Sequence, residues 1–198
     1  MHFIFLLFAF VAAIAAAFTL PKDAADGFYV AYYNETGHEV HLKDPDMSSL
    51  DALVTSSPVT PQIRGTTPLV LPRDGQTWCG CKYRMNSGNC DGAVQGLKNQ
   101  MGKQRLGRAF INPGMAWYEI RRFSSARPVV AFLCRTRDAG VGDIDIYTYT
   151  QKLQEITGSC GFYVPGTKAL GALRVGYMIY NEGDDFCRSA TGSTQNRC

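Results

Sequence analysis

Two histidines, His38 and His41, are the side chains in this sequence best suited to acid-base chemistry or metal binding. They frame the segment His38-Glu39-Val40-His41, which is one residue short of the H-E-x-x-H zinc motif. In that motif a helix places both histidines on one face, whereas a strand with a spacing of three points them to opposite faces. We therefore expect no metal site here, and no other motif in the sequence indicates a cofactor.

A hydrolase would have to draw its catalytic groups from a short set of residues. The adjacent carboxylates Asp184 and Asp185 form one candidate pair, because neighbouring carboxylates shift each other's pKa. Glu119 with His38 or His41 forms the other. Asp184 and Asp185 lie in a polar stretch, however, which an exposed turn explains as well. Catalysis therefore stays an alternative, and the sequence identifies no reaction.

Seven cysteines lie in the C-terminal part of the chain: Cys79, Cys81, Cys90, Cys134, Cys160, Cys187 and Cys198. In an extracellular protein this set indicates three disulfide bridges and one unpaired thiol, with the pairing left open. Cys79 and Cys81 are too close in sequence to bridge each other comfortably, so we expect them to have different partners. Neither C-x-x-C pairs nor Cys/His spacings typical of zinc occur.

The start of the chain has the features of a secretory signal. Residues 1–17 carry one titratable side chain, His2, run apolar through most of their length and close on Ala15-Ala16-Ala17. The apolar span is shorter than the roughly 20 residues that a membrane helix needs. We therefore predict a secreted, extracellular protein. The sequon Asn34-Glu35-Thr36 then predicts a glycan on Asn34 in an exposed turn.

Basic side chains outnumber acidic ones across the middle of the chain, and the formal net charge is +3. A basic face can meet phosphates on a membrane or on nucleic acid, or it can serve solubility alone. Since neither a glycine-rich phosphate loop nor an aromatic-basic RNA motif is present, we do not expect nucleic acid as a partner. The residues that we expect to contact a partner are Arg105, Arg108, Tyr118, Arg121 and Arg122.

Two helices are predicted in the cysteine-bearing half. One is predicted from apolar residues at steps of three and four, with Asp143 or Asp145 as its cap and Gly158 as its end. The apolar residues are Ile146, Tyr149, Leu153, Ile156 and Cys160. The other begins at Asn89 as its cap and stops at Gly102, with the interior glycine Gly96 allowing close approach to a strand. Residues 104–114 are predicted to be a basic loop.

Strands are predicted from runs of β-branched, aromatic and alternating apolar residues. Residues 28–33 and 40–42 are predicted to form a hairpin, and 117–122 with 129–135 the clearest strand pair; 129–135 should be covered on both faces because it lacks polar alternation. Residues 78–83 are a short strand candidate. Residues 161–164 and 173–179 complete the set, joined through a turn at Pro165-Gly166.

The order of these elements predicts an α+β fold. Its core is an antiparallel sheet with two helices packed on one face, an α/β sandwich stabilised by disulfides. We divide the chain into a signal peptide at 1–17, an N-terminal hairpin at 18–43, a Pro/Ser/Thr-rich loop or linker at 44–77 and a disulfide-bearing domain at 78–198.

Several of these features together resemble the small secreted proteins of fungi: the alanine-rich signal, the Asp26-Gly27-Phe28-Tyr29 opening and the odd number of cysteines. Within the last hundred residues, the Asn89-Cys90-Asp91 helix start, the later helix ending near Cys160 and the segment 171–180 (GALRVGYMIY) are similar to killer-toxin-like and necrosis-inducing effector domains. The resemblance implies a secreted α/β sandwich that binds a target on another cell, with no catalytic residues.

Three functions are therefore compared. The favoured one is a secreted effector or antagonistic toxin-like protein that binds a cell-surface, membrane or host protein target. In this interpretation it is a monomer, or a dimer through the spare cysteine. The alternative is the small hydrolase described above. A structural cell-wall protein ranks last, because the chain has no repeats or threonine-rich stalk.

Overall fold

A computed structural model of the chain describes residues 18–46, 75–123, 125–135, 142–187 and 195–198. The predicted signal segment 1–17 and positions 47–74 of the predicted loop or linker lie outside the described residues. In chain order the elements are β1 (Gly27–Tyr33), β2 (Glu39–Lys43), β3 (Thr77–Cys79), α1 (Ser87–Gly102), a 3-10 turn (Arg105–Gly107), β4 (Arg108–Ile111), β5 (Met115–Arg121), β6 (Val129–Arg135), β7 (Gly142–Asp145), α2 (Ile146–Cys160), β8 (Gly166–Leu170) and β9 (Leu173–Ile179).

Seven of these strands form one antiparallel sheet in the order β2-β1-β5-β6-β9-β8-β3. Strand β6 lies at its centre and is buried along its whole length, as its uninterrupted apolar sequence predicts. The predicted hairpin near the start of the chain is β1–β2, and β1 also pairs with β5. The N-terminal hairpin and the cysteine-bearing half therefore share one sheet.

Both helices pack on the same face of this sheet, which confirms the predicted α+β class. Alternate residues of β5 show the division between faces. Trp117 belongs to the core that includes Leu97 of α1 and Tyr149 of α2. Tyr118, its neighbour in sequence, belongs to a second core on the opposite face.

The second face is covered by segments flanking the sheet in sequence rather than by helices. Phe18 and Leu20 come from the N-terminal side, and Phe186 from the C-terminal side, and all three are almost fully buried there. Thr19 and Asp185 form a β-bridge that holds the two segments together. The sequence pattern did not predict this second layer.

Helix α2 follows the predicted apolar stripe, but its ends required correction. Asp145 rather than Asp143 is the N-cap, and its carboxylate accepts a hydrogen bond from the Thr148 amide at 2.7 Å. The helix continues past Gly158 to Cys160, and Gly161 ends it with a φ of +96°. Glycine tolerates that conformation, whereas Gly158 keeps helical geometry.

The hairpin after α2 was predicted in the wrong register. Residues 161–164 are not a strand; they contain the turn that follows the helix. Pro165 precedes the strand, and Gly166 is the first residue of β8, paired with Tyr177 of β9. A Cβ on Gly166 would lie 2.3 Å from the Ile156 side chain, so glycine is there for close packing under α2 and not for a turn.

The N-cap of helix α1 lies three residues before the predicted one. Asn86 is the N-cap and accepts a hydrogen bond from the amide of Asn89 at 3.0 Å. Asn89 itself is fully buried inside the helix, where its side chain donates to the Arg127 carbonyl and accepts from the Phe123 amide. It therefore anchors the β5–β6 connection to α1. Two asparagines three residues apart offer the same local signal, and tertiary contacts decide between them.

The predicted basic loop at 104–114 contains structure that the sequence did not predict. The 3-10 turn is followed by β4, which pairs with β7 to make a separate two-stranded sheet. In β4, Ala109 and Ile111 are buried, whereas Arg108 and Phe110 face outward.

Three disulfides close the fold, as predicted, and one cysteine is free. The bridges are Cys79–Cys160, Cys81–Cys198 and Cys134–Cys187, with Cα–Cα distances of 5.3, 5.5 and 5.8 Å. The two cysteines of the Cys79-Gly80-Cys81 pair thus have different partners. Three disulfides are compatible with an extracellular protein. No helix within the described ranges is long and apolar enough to cross a membrane.

The free thiol is Cys90, which is buried in α1 at 4 % exposure. A disulfide-linked dimer through the spare cysteine, which the sequence left open, would require this side chain to leave the core. Helix α1 is held on the sheet without a bridge at Cys90, because Ala93, Leu97 and Met101 are buried on the same face of the helix.

Candidate functional site

Tyr118, expected at the surface, is completely buried. Its ring stacks on Tyr29 with centroids 5.0 Å apart, and its hydroxyl shares a 2.7 Å hydrogen bond with Nδ1 of His41. Burial is the main cause that raises the pKa of Tyr118 far above its ordinary value. The side chain supports the second core and cannot contact a partner.

The four arginines predicted to bind a partner differ in how far their charge is already neutralised. Arg121 pairs with Glu119 at 2.6 Å, and Arg108 pairs with Asp143 on the outer face of the β4–β7 sheet. Arg122 lies 4.0 Å from Asp26. These three guanidinium groups are partly exposed, so they remain on the surface while serving internal ion pairs. The structure describes Arg105 by its backbone only.

The His–Glu pairs considered for hydrolysis do not come together. Glu119 faces the helices, where a Cβ on Gly96 of α1 would touch it, whereas His41 contacts Tyr118 on the opposite face of the sheet. His38 lies in the exposed turn before β2 and bonds to Thr36 at 2.8 Å. The sheet therefore separates Glu119 from His41.

His41 does lie between a carboxylate and a hydroxyl, an order of groups found in nucleophilic triads. Its Nε2 is 2.6 Å from Glu39, and its Nδ1 bonds to Tyr118. The would-be nucleophile is 0 % exposed, so no substrate atom can approach it. The chain of hydrogen bonds therefore has a structural role.

The two carboxylates of the other predicted pair, Asp184 and Asp185, have different partners. Asp184 accepts a hydrogen bond from the amide group of Asn181 at 2.9 Å and lines a surface cavity. Asp185 forms the β-bridge to Thr19. Within the described residues, no group of three or more His, Cys, Asp or Glu side chains is arranged to hold a metal ion.

An exposed apolar surface lies on the 3-10 turn, β4 and the first turn of α2. The first two were predicted to be part of a basic loop. We call this surface the 106/110/147 surface, after Leu106 (79 % exposed), Phe110 (49 %) and Tyr147 (79 %). Leu106 follows α1, and Phe110 lies on β4. Tyr147 is the second residue of α2, which directly follows β7, the partner strand of β4. The side chain of Ile146 lies 3.6 Å from the position of a Cβ on Gly107, which brings the 3-10 turn against the start of α2.

Leu106 adopts a backbone conformation that leucine rarely takes. Its φ of +64° and ψ of +17° lie in the left-handed region, which costs a non-glycine residue roughly 1–2 kcal/mol. The next residue, Gly107, has a φ of +62° at no such cost. The strained backbone of Leu106 lowers the stability of the fold, and its side chain is exposed. Strained backbone conformations of this kind are concentrated at functional sites.

A cavity of about 460 Å³ opens at the end of the sheet near β3, β8 and β9. Its size lies in the range of small-molecule sites, about 300–1,000 Å³. Its walls come from the β3–α1 connection, the β5–β6 connection, strands β8 and β9, and the C-terminal segment. The sequence analysis placed no binding residue here except Asp184.

Parts of the 106/110/147 surface could have been found from sequence. Tyr147 lies one residue after Ile146 and two before Tyr149, off the apolar stripe of α2, so its exposure follows from helix periodicity. Phe110 and Leu106 gave no such signal, because β4 was not recognised. No protein family model, no curated protein and no solved structure matches this chain.

Proposed function

We propose that this chain is a secreted, disulfide-stabilised interaction protein, an effector or antagonistic toxin of the kind that the fungal resemblance implies. It acts by binding a target on another cell and not by catalysis. The observation that carries the proposal is the 106/110/147 surface. Leu106, Phe110 and Tyr147 are three of the six large apolar side chains exposed in the described part of the chain, and they lie on adjoining elements of a fold that covers both faces of its sheet.

The charge around this surface favours an anionic target. Residues 103–110 contain Lys103, Arg105 and Arg108, and the carboxylates beside them are Asp143, which pairs with Arg108, and Asp145, which caps α2. Three cations against two carboxylates leave a small positive excess. Projecting leucine and aromatic side chains beside cations are typical of proteins that bind anionic membrane surfaces. The target that we favour is therefore the anionic outer surface of a membrane on another cell, with a protein receptor as the competing outcome.

Three features support binding over hydrolysis. Glu119 and His41 lie on opposite faces of the sheet, Tyr118 is inaccessible, and Asp184 and Asp185 have separate structural partners. Secretion is supported by the apolar N-terminal segment and by the three disulfides.

The test is a binding assay with vesicles that contain anionic lipid and with zwitterionic vesicles as the reference. We expect binding to the anionic vesicles at about 0.1 M salt and loss of it at about 1 M, where the Debye length falls from about 10 to about 3 Å. Tyr147→Ser should weaken binding. Phe162→Ser is the matched control, because Phe162 is 72 % exposed beyond the other end of α2, roughly 20 Å away.

Equal binding to both vesicle types, or equal loss with Tyr147→Ser and Phe162→Ser, would reject this surface as a membrane site. Binding to whole cells that survives protease treatment of those cells supports a lipid target. If binding is lost after that treatment, a protein receptor replaces the membrane as the target.

A further inference from the structure

The cavity at the end of the sheet has an apolar floor and one polar wall. Trp78 and Met178 lie on the same face of the sheet and form the floor, together with Pro165 from the connection before β8. Trp78 is only 6 % exposed, so its indole is a fixed part of this floor. An apolar floor of this kind binds an aromatic or aliphatic body by burying its surface.

The polar wall is a chain of hydrogen bonds between three side chains. Arg127 donates through its guanidinium group to the amide oxygen of Asn181, and the amide nitrogen of Asn181 donates to Asp184 at 2.9 Å. Asn181 is thereby held in one orientation, and Asp184 is occupied by it. This network fixes the Arg127 guanidinium at the cavity, with its remaining N–H groups available to a ligand.

The charge at the cavity is positive. Three charged side chains line it: Lys82 and Arg127 are cationic, and Asp184 carries the single carboxylate. No ion pair to Lys82 or Arg127 is found within the part of the chain that the structure describes, whereas Asp184 already has a donor. Exposed Tyr83 lies beside Lys82 at the cavity and adds an aromatic ring.

From this combination we infer that the cavity binds a small amphipathic organic anion, an aromatic or aliphatic body that carries one carboxylate or sulfonate group. The apolar body lies on the floor formed by Trp78 and Met178, and the anionic group faces Arg127 and Lys82. The guanidinium offers paired N–H donors that match the two oxygens of a carboxylate. The site is separate from the 106/110/147 surface and does not depend on the proposed membrane target.

The position of the cavity links it to the disulfide framework. Cys81 lines it and is bridged to Cys198, and Gln195 of the same C-terminal segment also lines it. The backbone carbonyl of Gln195 accepts a hydrogen bond from the Cys79 amide at 2.8 Å. Covalent and backbone contacts therefore hold this wall in place before a ligand arrives, which lowers the entropic cost of binding.

The experiment is calorimetric titration of the intact, oxidised protein with 2-naphthoate, with the neutral 2-naphthalenemethanol as its uncharged counterpart. We expect 2-naphthoate to bind with one site per chain and the alcohol to bind at least roughly tenfold more weakly, since a charge-assisted contact is lost. Arg127→Gln should weaken 2-naphthoate binding by a similar factor. Amide shifts of labelled protein should change at residues 80–83, 165–167 and 178–181.

Arg84→Gln is the matched control, because it removes the same charge from an exposed arginine that does not line the cavity. It should leave the affinity within about twofold, which tests local contact against net charge. Equal affinity for the acid and the alcohol overturns the proposal, and so does equal weakening by Arg127→Gln and Arg84→Gln. Binding of a neutral sugar such as tri-N-acetylchitotriose, without binding of 2-naphthoate, also overturns it. Thermal unfolding of each variant confirms that the fold is intact.

Discussion

Gly96 of α1 lies directly over the carboxyl group of Glu119 in β5: a Cβ added to Gly96 would be 2.6 Å from the carboxyl carbon. The helix thus approaches the sheet closely enough to seal a glutamate side chain that is 1 % exposed. Burial raises the pKa of Glu119 to about 7, although the attraction of Arg121 at 2.6 Å acts in the opposite direction.

The first prediction concerns the pH dependence of stability. Because folding raises the pKa of Glu119 from 4.5 to about 7, the folded state holds a proton that the unfolded chain releases. This contribution is fully present below pH 4.5 and is lost as the pH rises through 7, for a total of up to about 3 kcal/mol. Glu119→Gln should flatten this part of the profile in urea unfolding measured from about pH 2 to about pH 8, a range that also covers the titration of Glu155.

Glu155→Gln is the control for that profile. Desolvation acts to raise the pKa of Glu155, but hydrogen bonds and attraction from Lys152 and Lys168 outweigh it, so the pKa lies below its ordinary value. Its contribution is present above the ordinary pKa and is lost as the pH falls. The two variants should therefore alter the profile with opposite sign, and a common sign would contradict the assignment of Glu119.

The second prediction compares two helical glycines. Gly96→Ala gains up to about 1 kcal/mol of helix propensity, but the added methyl group must displace the buried Glu119 side chain, at a cost of roughly 1–3 kcal/mol. We expect a net loss of stability. Gly158→Ala in α2 points into open space and should gain up to about 1 kcal/mol. Denaturant midpoints measure both, and stabilisation by Gly96→Ala would show that α1 does not press on Glu119.

The third prediction separates stability from binding at Leu106. Asparagine tolerates the left-handed conformation better than leucine, so Leu106→Asn should raise the free energy of unfolding by about 1 kcal/mol. The same change removes an apolar side chain from the 106/110/147 surface and should reduce binding to anionic vesicles. A variant that is more stable and binds as well as the parent would remove Leu106 from the proposed surface.

The fourth prediction concerns the free thiol. Burial raises the pKa of Cys90 to about 12, so the native protein should react with iodoacetamide at neutral pH only after unfolding. Cys90→Ala should stay folded with all three bridges intact.

Cys134→Ala, by contrast, frees Cys187 and should lose roughly 2–5 kcal/mol of stability. Alkylation followed by mass spectrometry counts the thiols, and rapid labelling of native Cys90 would contradict its burial.

The fifth prediction is the glycan on Asn34. The side-chain oxygen of Asn34 accepts hydrogen bonds from the Thr36 hydroxyl at 2.8 Å and from the His38 amide at 2.9 Å, in the exposed β1–β2 turn. This places the sequon threonine against the asparagine that would be modified. Protein exported from a eukaryotic host should lose mass on treatment with an N-glycanase. The mass of the Asn34→Gln variant should not change on the same treatment.

Local patterns predicted the two helices, the strand pair β5–β6 and the different partners of Cys79 and Cys81. They succeeded because periodicity along α2 and the apolar run of β6 are set by burial against a single sheet. They failed where distant contacts decide. Asn86 and Asn89 offer the same capping chemistry, and only the contacts of Asn89 with the β5–β6 connection place it inside the helix.

The candidate site was harder to predict than the fold. Tyr118 is an aromatic residue in a strand, and its side of the sheet is covered by Phe186 from far along the chain, which no local pattern reveals. The cavity near Arg127 and Asn181 joins four segments that are far apart in sequence. Its assembly depends on strand order and on the Cys81–Cys198 bridge, and both are properties of the whole fold.

The hairpin β1–β2 contains no cysteine, whereas all three bridges join residues that follow position 78. If a protease cut the chain anywhere in 47–74, the two fragments would share no covalent bond. The smaller fragment would be retained by its backbone pairing with β5 and by the packing of Phe28 and Val30. A nicked molecule would therefore run as one species in native gels and separate in detergent without any reducing agent.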